Sequence, residues 1–394
     1  MLTRPNLGTK FRPYTMEDVR KSSSRNLFTV VSTFCGGGGS STGYKLAGGN
    51  VLLAVDSDRS AIETYRHNYP DTPTVLDDIR NISRLGSDKK ILSFFNKFGI
   101  EQGELDILDG SPPCTAFSIA SRNRVRDKDR TLNNPHSDKK NTSNLMGDFI
   151  HLVSSLRPKV FVMENVVPSK NSTIFKVSMD KIRNEGYLIN WETVISSDCG
   201  VAQSRKRLIV IGIRGDVAVN SSIPSDEDIL DLYPVPCDQQ LTVRDVISDL
   251  VTDPEEEDIL LDTCRLSTNY ELLKLIPKSP IKPSKIYHIH PEWEKRFNSD
   301  FTLIRSSWDH PCPTITCRGQ QLGISGIHHP AHDRKFTISE LKRLTSLPDD
   351  FRFVGNFNEK VERIGNMVPP FMTRLISSNI YKQIFSKNSY KTMS

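Results

Sequence analysis

Through the first half of this chain, short apolar runs stopped by glycine, aspartate or proline alternate with stretches of helical period. Residues 28–34, 51–55, 105–108, 160–163 and 207–213 read as buried strands, with a further one ending near Leu76. Residues 59–68, 145–156 and the stretch that ends at Leu46 read as helices. Parallel neighbours in a sheet need a long crossover, and a helix supplies it. The alternation therefore predicts an α/β fold with a doubly wound, mostly parallel sheet. In such sheets ligands bind at the carboxyl ends of the strands, so the residues just after each run are the first place to look for function.

The alternation stops after Gly215. Residues 216–240 read as loop, and the acidic run at 253–258 reads as a solvated surface, because like charges repel and prefer water. Residues 255–335 are irregular and rich in proline, histidine and aromatics, the pattern expected of a second, smaller domain. Helical order returns at 339–347 and at 370–386. The expected organisation is a polar arm over 1–26, a main domain from 27–249 and 356–394, and a small domain over 250–355. The length of 394 residues is enough to give both domains a core.

Seven cysteines, scattered without Cys-x-x-Cys pairs, favour a reducing compartment over a disulfide framework or a structural zinc. No apolar stretch approaches the roughly 18 residues of a membrane span, and the first residues carry no apolar leader. A cytoplasmic protein with no membrane partner and no metal is expected. The formal net charge of +5 is compatible with a polyanionic partner but does not require one.

Several segments stand where chemistry is expected. The run at 105–108 leads into Asp109-Gly-Ser-Pro-Pro-Cys114, where two prolines end the ladder and place a thiol at the strand's lip, a nucleophile candidate. Phe34-Cys-Gly-Gly-Gly-Gly-Ser40 joins the first strand to the first helix, and Asp56 ends the second strand about twenty residues on, placed to accept from ribose hydroxyls. A dinucleotide fingerprint would need glycine at the sixth position from Gly36, and that position is Ser41. The layout suits S-adenosylmethionine, which has no pyrophosphate. Asp78, in Leu76-Asp-Asp-Ile79, is placed to meet an adenine amino group. Met163-Glu-Asn-Val166 puts Glu164 on the rim of Cys114, and a thiol beside a carboxyl group suits addition to a ring that is protonated as it is attacked. Gln203-Ser-Arg-Lys-Arg207 precedes an apolar strand and offers two guanidinium groups for a phosphate or a carbonyl oxygen. A long polar loop after Cys114 carries Arg122, Arg124 and Arg126, a lid suited to a phosphate backbone.

These segments, in this order, resemble the bacterial-type DNA (cytosine-5) methyltransferases over nearly the whole chain from Leu27. Phe34-x-Gly-x-Gly-Gly39 resembles the family's first motif, Pro112-Pro-Cys114 the catalytic one, Glu164-Asn-Val166 the ring-acid motif and Gln203-x-Arg-x-Arg207 the one that follows. Arg343-Leu-Thr-Ser-Leu-Pro-Asp-Asp-Phe351 and Gly365-Asn-Met-Val368 resemble the last two. The resemblance implies a Rossmann-like methyltransferase fold that converts S-adenosylmethionine to S-adenosylhomocysteine and methylates carbon 5 of a cytosine flipped out of duplex DNA. It implies that Cys114 adds to ring carbon 6, with Glu164 at ring N3 and Arg205 and Arg207 at the target's oxygen or flanking phosphate. It places Phe34, Gly36, Gly38, Gly39, Asp56, Asp78, Ile79, Pro112, Leu145, Asn366 and Met367 at the cofactor, and Arg122, Arg124, Arg126 and Gln203 at DNA. It makes residues 250–335 the segment that reads sequence. Thr115 stands where the family usually has glutamine, Asp56 replaces a commoner glutamate, and Ser57 stands where many members have a larger residue. A monomer in a restriction-modification setting, alongside an endonuclease for the same site, is expected. The alternatives are the same chemistry on transfer RNA, a catalytically silent DNA-binding relative, and a small-molecule methyltransferase.

Overall fold

A computed structural model describes residues 11–113, 145–297 and 303–386. Its centre is a seven-stranded sheet in the order β3-β2-β1-β4-β5-β8-β6. The strands are β1 (Phe28–Thr33), β2 (Gly49–Asp56), β3 (Thr74–Leu76), β4 (Ile107–Gly110), β5 (Val160–Asn165), β6 (Tyr187–Ile195) and β8 (Lys206–Arg214). Neighbours pair in parallel except across β8, which is antiparallel to both β5 and β6. The expected α/β class holds. The strand β4 lies two residues later than the 105–108 expected, because Leu105 packs in the core before the ladder begins. The strand β6 and the helix Thr173–Asn184 before it were not anticipated. Four consecutive residues of β6, Asn190 to Thr193, are partly or fully exposed, as befits an edge strand, and the apolar run is broken there.

Apolar clusters cover the two faces of the sheet. Helices Ile79–Ser83, Asp88–Asn96, Leu145–Leu156 and Thr173–Asn184 pack Ile82, Phe95, Phe149 and Met179 against one face. The last helix, Pro370–Ile380, closes the other with Met372, Ile376 and Ile380, beside Tyr44 and Val30. Beyond Ile380 the chain continues through a wider turn, Tyr381–Phe385, that buries Ile384.

Three expectations need correction. The arm expected over 1–26 contains a helix, Met16–Ser23, started by a reciprocal Thr15–Asp18 cap and seated by buried Met16 and Val19. The acidic run does not stand free. Asp253 caps the helix Pro254–Arg265, Glu256 accepts from the Ile338 N–H at 3.0 Å, and Glu257 pairs with Arg334 at 2.7 Å. Negative charge in a first helical turn meets the unpaired N–H groups there, which offsets the repulsion within the run. The stretch 216–240 is not all loop, since it includes Asp228–Leu232, a 3₁₀ turn that buries Ile229 and Leu232.

The region after 250 holds helices Pro254–Arg265 and Tyr270–Leu275 and a small sheet of two-residue strands: β9 (Ser284–Lys285), β10 (Ile304–Arg305) and β12 (Ile327–His328). A further short strand, β11 (Cys312–Pro313), pairs with β7 (Gln203–Ser204) just ahead of β8. One apolar cluster joins Cys35, Ile62 and Tyr65, beside the glycine loop, to Val243, Ile304, Phe336, Leu344 and Val361. This cluster draws residues from both sides of residue 250, and a smaller separate one, of Leu273, Ile276, Ile286, Leu303 and Ile324, lies beyond it.

Candidate active site at the sheet rim

Register brings the expected segments to one edge. Thr33 pairs with Val55 on one side and Gly110 on the other, and Gly110 pairs with Met163. Phe34, Asp56, Ser111 and Glu164 therefore stand in a row one residue beyond these pairs, with Asp56 still paired to Leu76 of β3 and Glu164 to Ile209 of β8. The strand β8 runs the other way, so its beginning and not its end lies at this rim, and that delivers Arg207. Its Nε sits 2.7 Å from Glu164 Oε1, with both side chains mostly buried. Cys114, Arg122, Arg124 and Arg126 lie outside the described residues.

The approach to Cys114 is nonetheless fixed. Asn165 Nδ2 donates to Pro112 O at 3.1 Å while its Oδ1 accepts from Val166 N–H. This amide ties the proline turn after β4 to the end of β5. The sequence shows Asn165 between Glu164 and Val166, but only the fold shows what it grips. Beneath the turn, Asp109 is fully buried and accepts from Ser32 Oγ at 2.9 Å and Tyr44 OH at 3.0 Å. Burial, with some help from nearby Glu164, raises its carboxyl to about 7.

The glycine loop does two jobs. Gly36 has φ +54° and open space where a Cβ would stand, following Phe34 at φ +53°. A non-glycine residue held in the left-handed region is strained, and such strain gathers at functional turns. Asp56 Oδ2 accepts from the Gly36 N–H at 2.8 Å and Oδ1 from the Asp58 N–H at 2.9 Å, so this carboxylate fixes the loop's backbone. Gly39 serves a different purpose. A Cβ there would lie 2.6 Å from Val368 O, so its absence lets the C-terminal segment approach the first helix. Gly38, at φ +105°, starts that helix. Met367 packs against the loop and is buried, while Asn366 beside it is exposed.

Several expected residues are placed otherwise than foreseen. Asp78 caps the helix Ile79–Ser83 and binds Arg80 through both oxygens. Ile79 and Leu145 are buried in the core flanking the sheet, and Pro112 is buried in its turn. Arg205 does not stand beside Arg207 facing outward. It is nearly fully buried, and Nη1 donates to Ile315 O at 3.1 Å and Gly365 O at 2.9 Å. Burial and the neighbouring Arg207 lower it to about 9. Gln203 is fully buried, its Oε1 accepting from the Ile315 N–H at 3.2 Å. Both side chains bind the Ile315 backbone just after β11, a role that two-residue spacing in a strand did not reveal. Among the described residues no cluster of three or more His, Cys, Asp or Glu has a metal-binding arrangement, and no helix is long and apolar enough to cross a membrane.

The family described as C-5 cytosine-specific DNA methylase matches residues 28–382. The chain belongs to that family. Enzymes of this family transfer a methyl group from S-adenosylmethionine to carbon 5 of cytosine in DNA, and this chain is such a DNA (cytosine-5) methyltransferase. The methylase is 29% identical to the Type II methyltransferase M.Sau96I of Staphylococcus aureus, over 93% of this chain and 77% of that protein. It is 27% identical to the Type II methyltransferase M1.HphI of Haemophilus parahaemolyticus, over 90% of this chain and 87% of that one. Among solved structures, an E. coli prophage-encoded DNA modification methyltransferase aligns with a TM-score of 0.58 at 25% identity, covering 90% of this chain and 99% of that one. The Dnmt2 methyltransferase of S. pombe aligns at 0.52 and 16% identity over 90% of this chain and 98% of that one, a likeness of fold alone.

Proposed function

We propose that the methylase acts on one short duplex DNA site through a covalent Cys114 adduct, as the modification enzyme of a restriction-modification pair, and that it does so as a monomer. The meeting of Glu164 and Arg207 beside the Pro112 turn carries this reading. The Cys114 sulfur bonds to ring carbon 6 of a cytosine swung out of the stack. Glu164, held by Arg207 through Oε1, has its other oxygen to meet ring N3 and give it a proton, so that the electron pair released by the attack collects at carbon 5. S-adenosylmethionine, when bound, supplies an electrophilic methyl group to that carbon. A base then removes the carbon-5 proton, the electrons expel the Cys114 thiolate, and N3 returns its proton to Glu164. Arg207 keeps Glu164 in place throughout.

The residues around the glycine loop fit the donor's adenosine part. Phe34 is partly exposed at the rim, Gly36 leaves its backbone open, and Asp56 stands alongside. The reading assigns Phe34 to the adenine face, Asp56 to the ribose and Asn366 to the methionine end. Asp78, paired with Arg80 and partly exposed, is assigned to the adenine amino group. The role of Arg122, Arg124 and Arg126 as phosphate contacts belongs to the same proposal.

The deciding experiment measures tritiated methyl transfer to duplex DNA and to transfer RNA, with trapping on 5-fluorocytosine duplex. The wild type should label DNA and form the trapped adduct. Cys114→Ser should do neither, and Glu164→Gln should slow transfer by about a hundredfold or more. Label on RNA alone, or undiminished turnover by Cys114→Ser, would overturn the proposal.

A further inference from the structure

Residues 317–326 form a loop that starts against the rim. Arg205 holds the Ile315 carbonyl two residues earlier, and a Cβ on Gly365 would lie 2.2 Å from Cys317 N, so the loop's first residue is packed against the end of the helix Phe357–Asn366. The loop is then gripped from inside. Lys335 is fully buried, and its Nζ donates to Gly319 O at 2.7 Å and to Ser325 O, carbonyls near the two ends of the loop. No carboxylate among the described residues pairs with that ammonium, and burial lowers it to about 7. Gln320 Nε2 donates to Ile327 O at 2.8 Å, and the Leu322 N–H donates to Asn358 Oδ1 at 2.8 Å. A cation buried on carbonyls alone is a costly way to hold a surface loop, which makes the loop's fixed shape the feature to explain.

The outer side of the loop is left unpaired. Arg318 is exposed and Gln321 half-buried, and neither side chain makes a hydrogen bond or ion pair among the described residues. With Ser267, Asn269 and Ser325 they line an open cleft of about 470 Å³ between the loop and the end of the helix Pro254–Arg265, and no residue lining it is acidic. Arginine and glutamine are side chains whose paired groups match guanine and adenine edges in the major groove. Direct readout of that kind needs donors fixed in space, whereas a phosphate contact tolerates a mobile side chain on a mobile loop.

We propose that residues 317–326 are this enzyme's base-reading element, with Arg318 and Gln321 as specificity-determining side chains and Lys335 as the residue that positions the loop. The proposal rests on the reading above that the substrate is a specific duplex site. Attachment of the loop to the Arg205 anchor fixes the distance between the base being read and the base being methylated.

The test maps methylated cytosines by bisulfite sequencing in cells expressing the wild type, Arg318→Ala, Gln321→Ala, Lys335→Met and, as a control away from the cleft lining, Arg265→Ala. Tritium transfer is then measured on duplexes that differ from the wild-type site by one base pair. Arg318→Ala and Gln321→Ala should each lose roughly tenfold or more of the discrimination at one position, and not the same position. Lys335→Met should lose discrimination at both positions with the KM for S-adenosylmethionine unchanged. Arg265→Ala should keep the wild-type site. Wild-type specificity in both Arg318→Ala and Gln321→Ala overturns the proposal, even if Lys335→Met does not fold. A Lys335→Met enzyme with a lower melting temperature and an unchanged site overturns the positioning role, and relaxation in Arg265→Ala overturns the assignment to the loop. An Arg318→Ala enzyme whose site is intact but whose DNA-binding salt slope falls by about one makes Arg318 a phosphate contact and also overturns it. Absence of methylcytosine with the wild type would instead sink the proposed function.

Discussion

The seven-stranded sheet and the small three-stranded one are stabilised by different means. The large sheet lies between two extensive apolar clusters. Among the described residues most buried charged and imidazole side chains, Arg305, His328, His329, Arg334, Lys335, Glu340 and Arg343, fall between residues 305 and 343, while Lys45, Asp109, Asp148 and Arg205 are spread over the rest of the chain. Two-residue strands leave most backbone carbonyls without a ladder partner, and buried carbonyls must still be paired. Arg305 shows how this is met. Its five N–H groups reach Ile276 O, Leu273 O, His329 O, His332 O and Asp333 Oδ1 with no solvent exposure of the side chain. The lesson is that long-chain cations can take over the work of regular secondary structure where the backbone is irregular.

The largest break in this contrast comes from Arg305→Met. It should destabilise the protein by about 3–5 kcal/mol, measured by chemical denaturation, because Asp333 and four carbonyls each lose a buried hydrogen-bond donor. A loss below about 1 kcal/mol would show that apolar packing carries the small sheet after all. In the large-sheet half, Gly43→Ala places a Cβ 2.4 Å from Pro370 O, a backbone atom that cannot swing aside. The expected cost is about 1–3 kcal/mol, with loss of affinity for S-adenosylmethionine as the last helix shifts away from the first.

A finer contrast concerns pH. Asp109 is raised to about 7 by burial, so between roughly pH 4 and 7 the folded state binds the proton that the unfolded state has lost. Its contribution is present below the unfolded value and fades as pH rises through 7. Lys335 is lowered to about 7, so above that point the unfolded state holds the proton that the folded state has released. Its contribution is present above roughly pH 10 and is lost as pH falls through 7. Asp109→Asn should flatten the acid limb of the stability profile and Lys335→Met the alkaline limb. If both variants alter the same limb, the two regions do not titrate independently.

The central strands were legible because burial on both faces leaves largely apolar runs, and residues 160–163 and 208–213 showed that pattern most clearly. The edge strand β6 was missed because its exposed residues interrupt the run. The helix Pro254–Arg265 was missed because its first turn is acidic, which reads as solvated until Arg334 and the Ile338 N–H are seen beside it. At the rim, Glu164 and Asp56 were expected from position alone, each just past an apolar run. The work of Asn165, Arg205 and Lys335 depends on partners that are, respectively, 53, 110 or more, and 10 to 16 residues away.

The order of residues alone determined the fold class and the family, and pointed to Cys114 and Glu164 as the candidate reacting groups, since each is written in local runs and short motifs whose chemistry does not depend on distant contacts. Tertiary structure decided which arginine meets Glu164, because only the reversal of β8 brings Arg207 to the rim and turns Arg205 inward to the carbonyls of Ile315 and Gly365. Pairing direction and burial arise when separate segments pack together, and no local pattern encodes them.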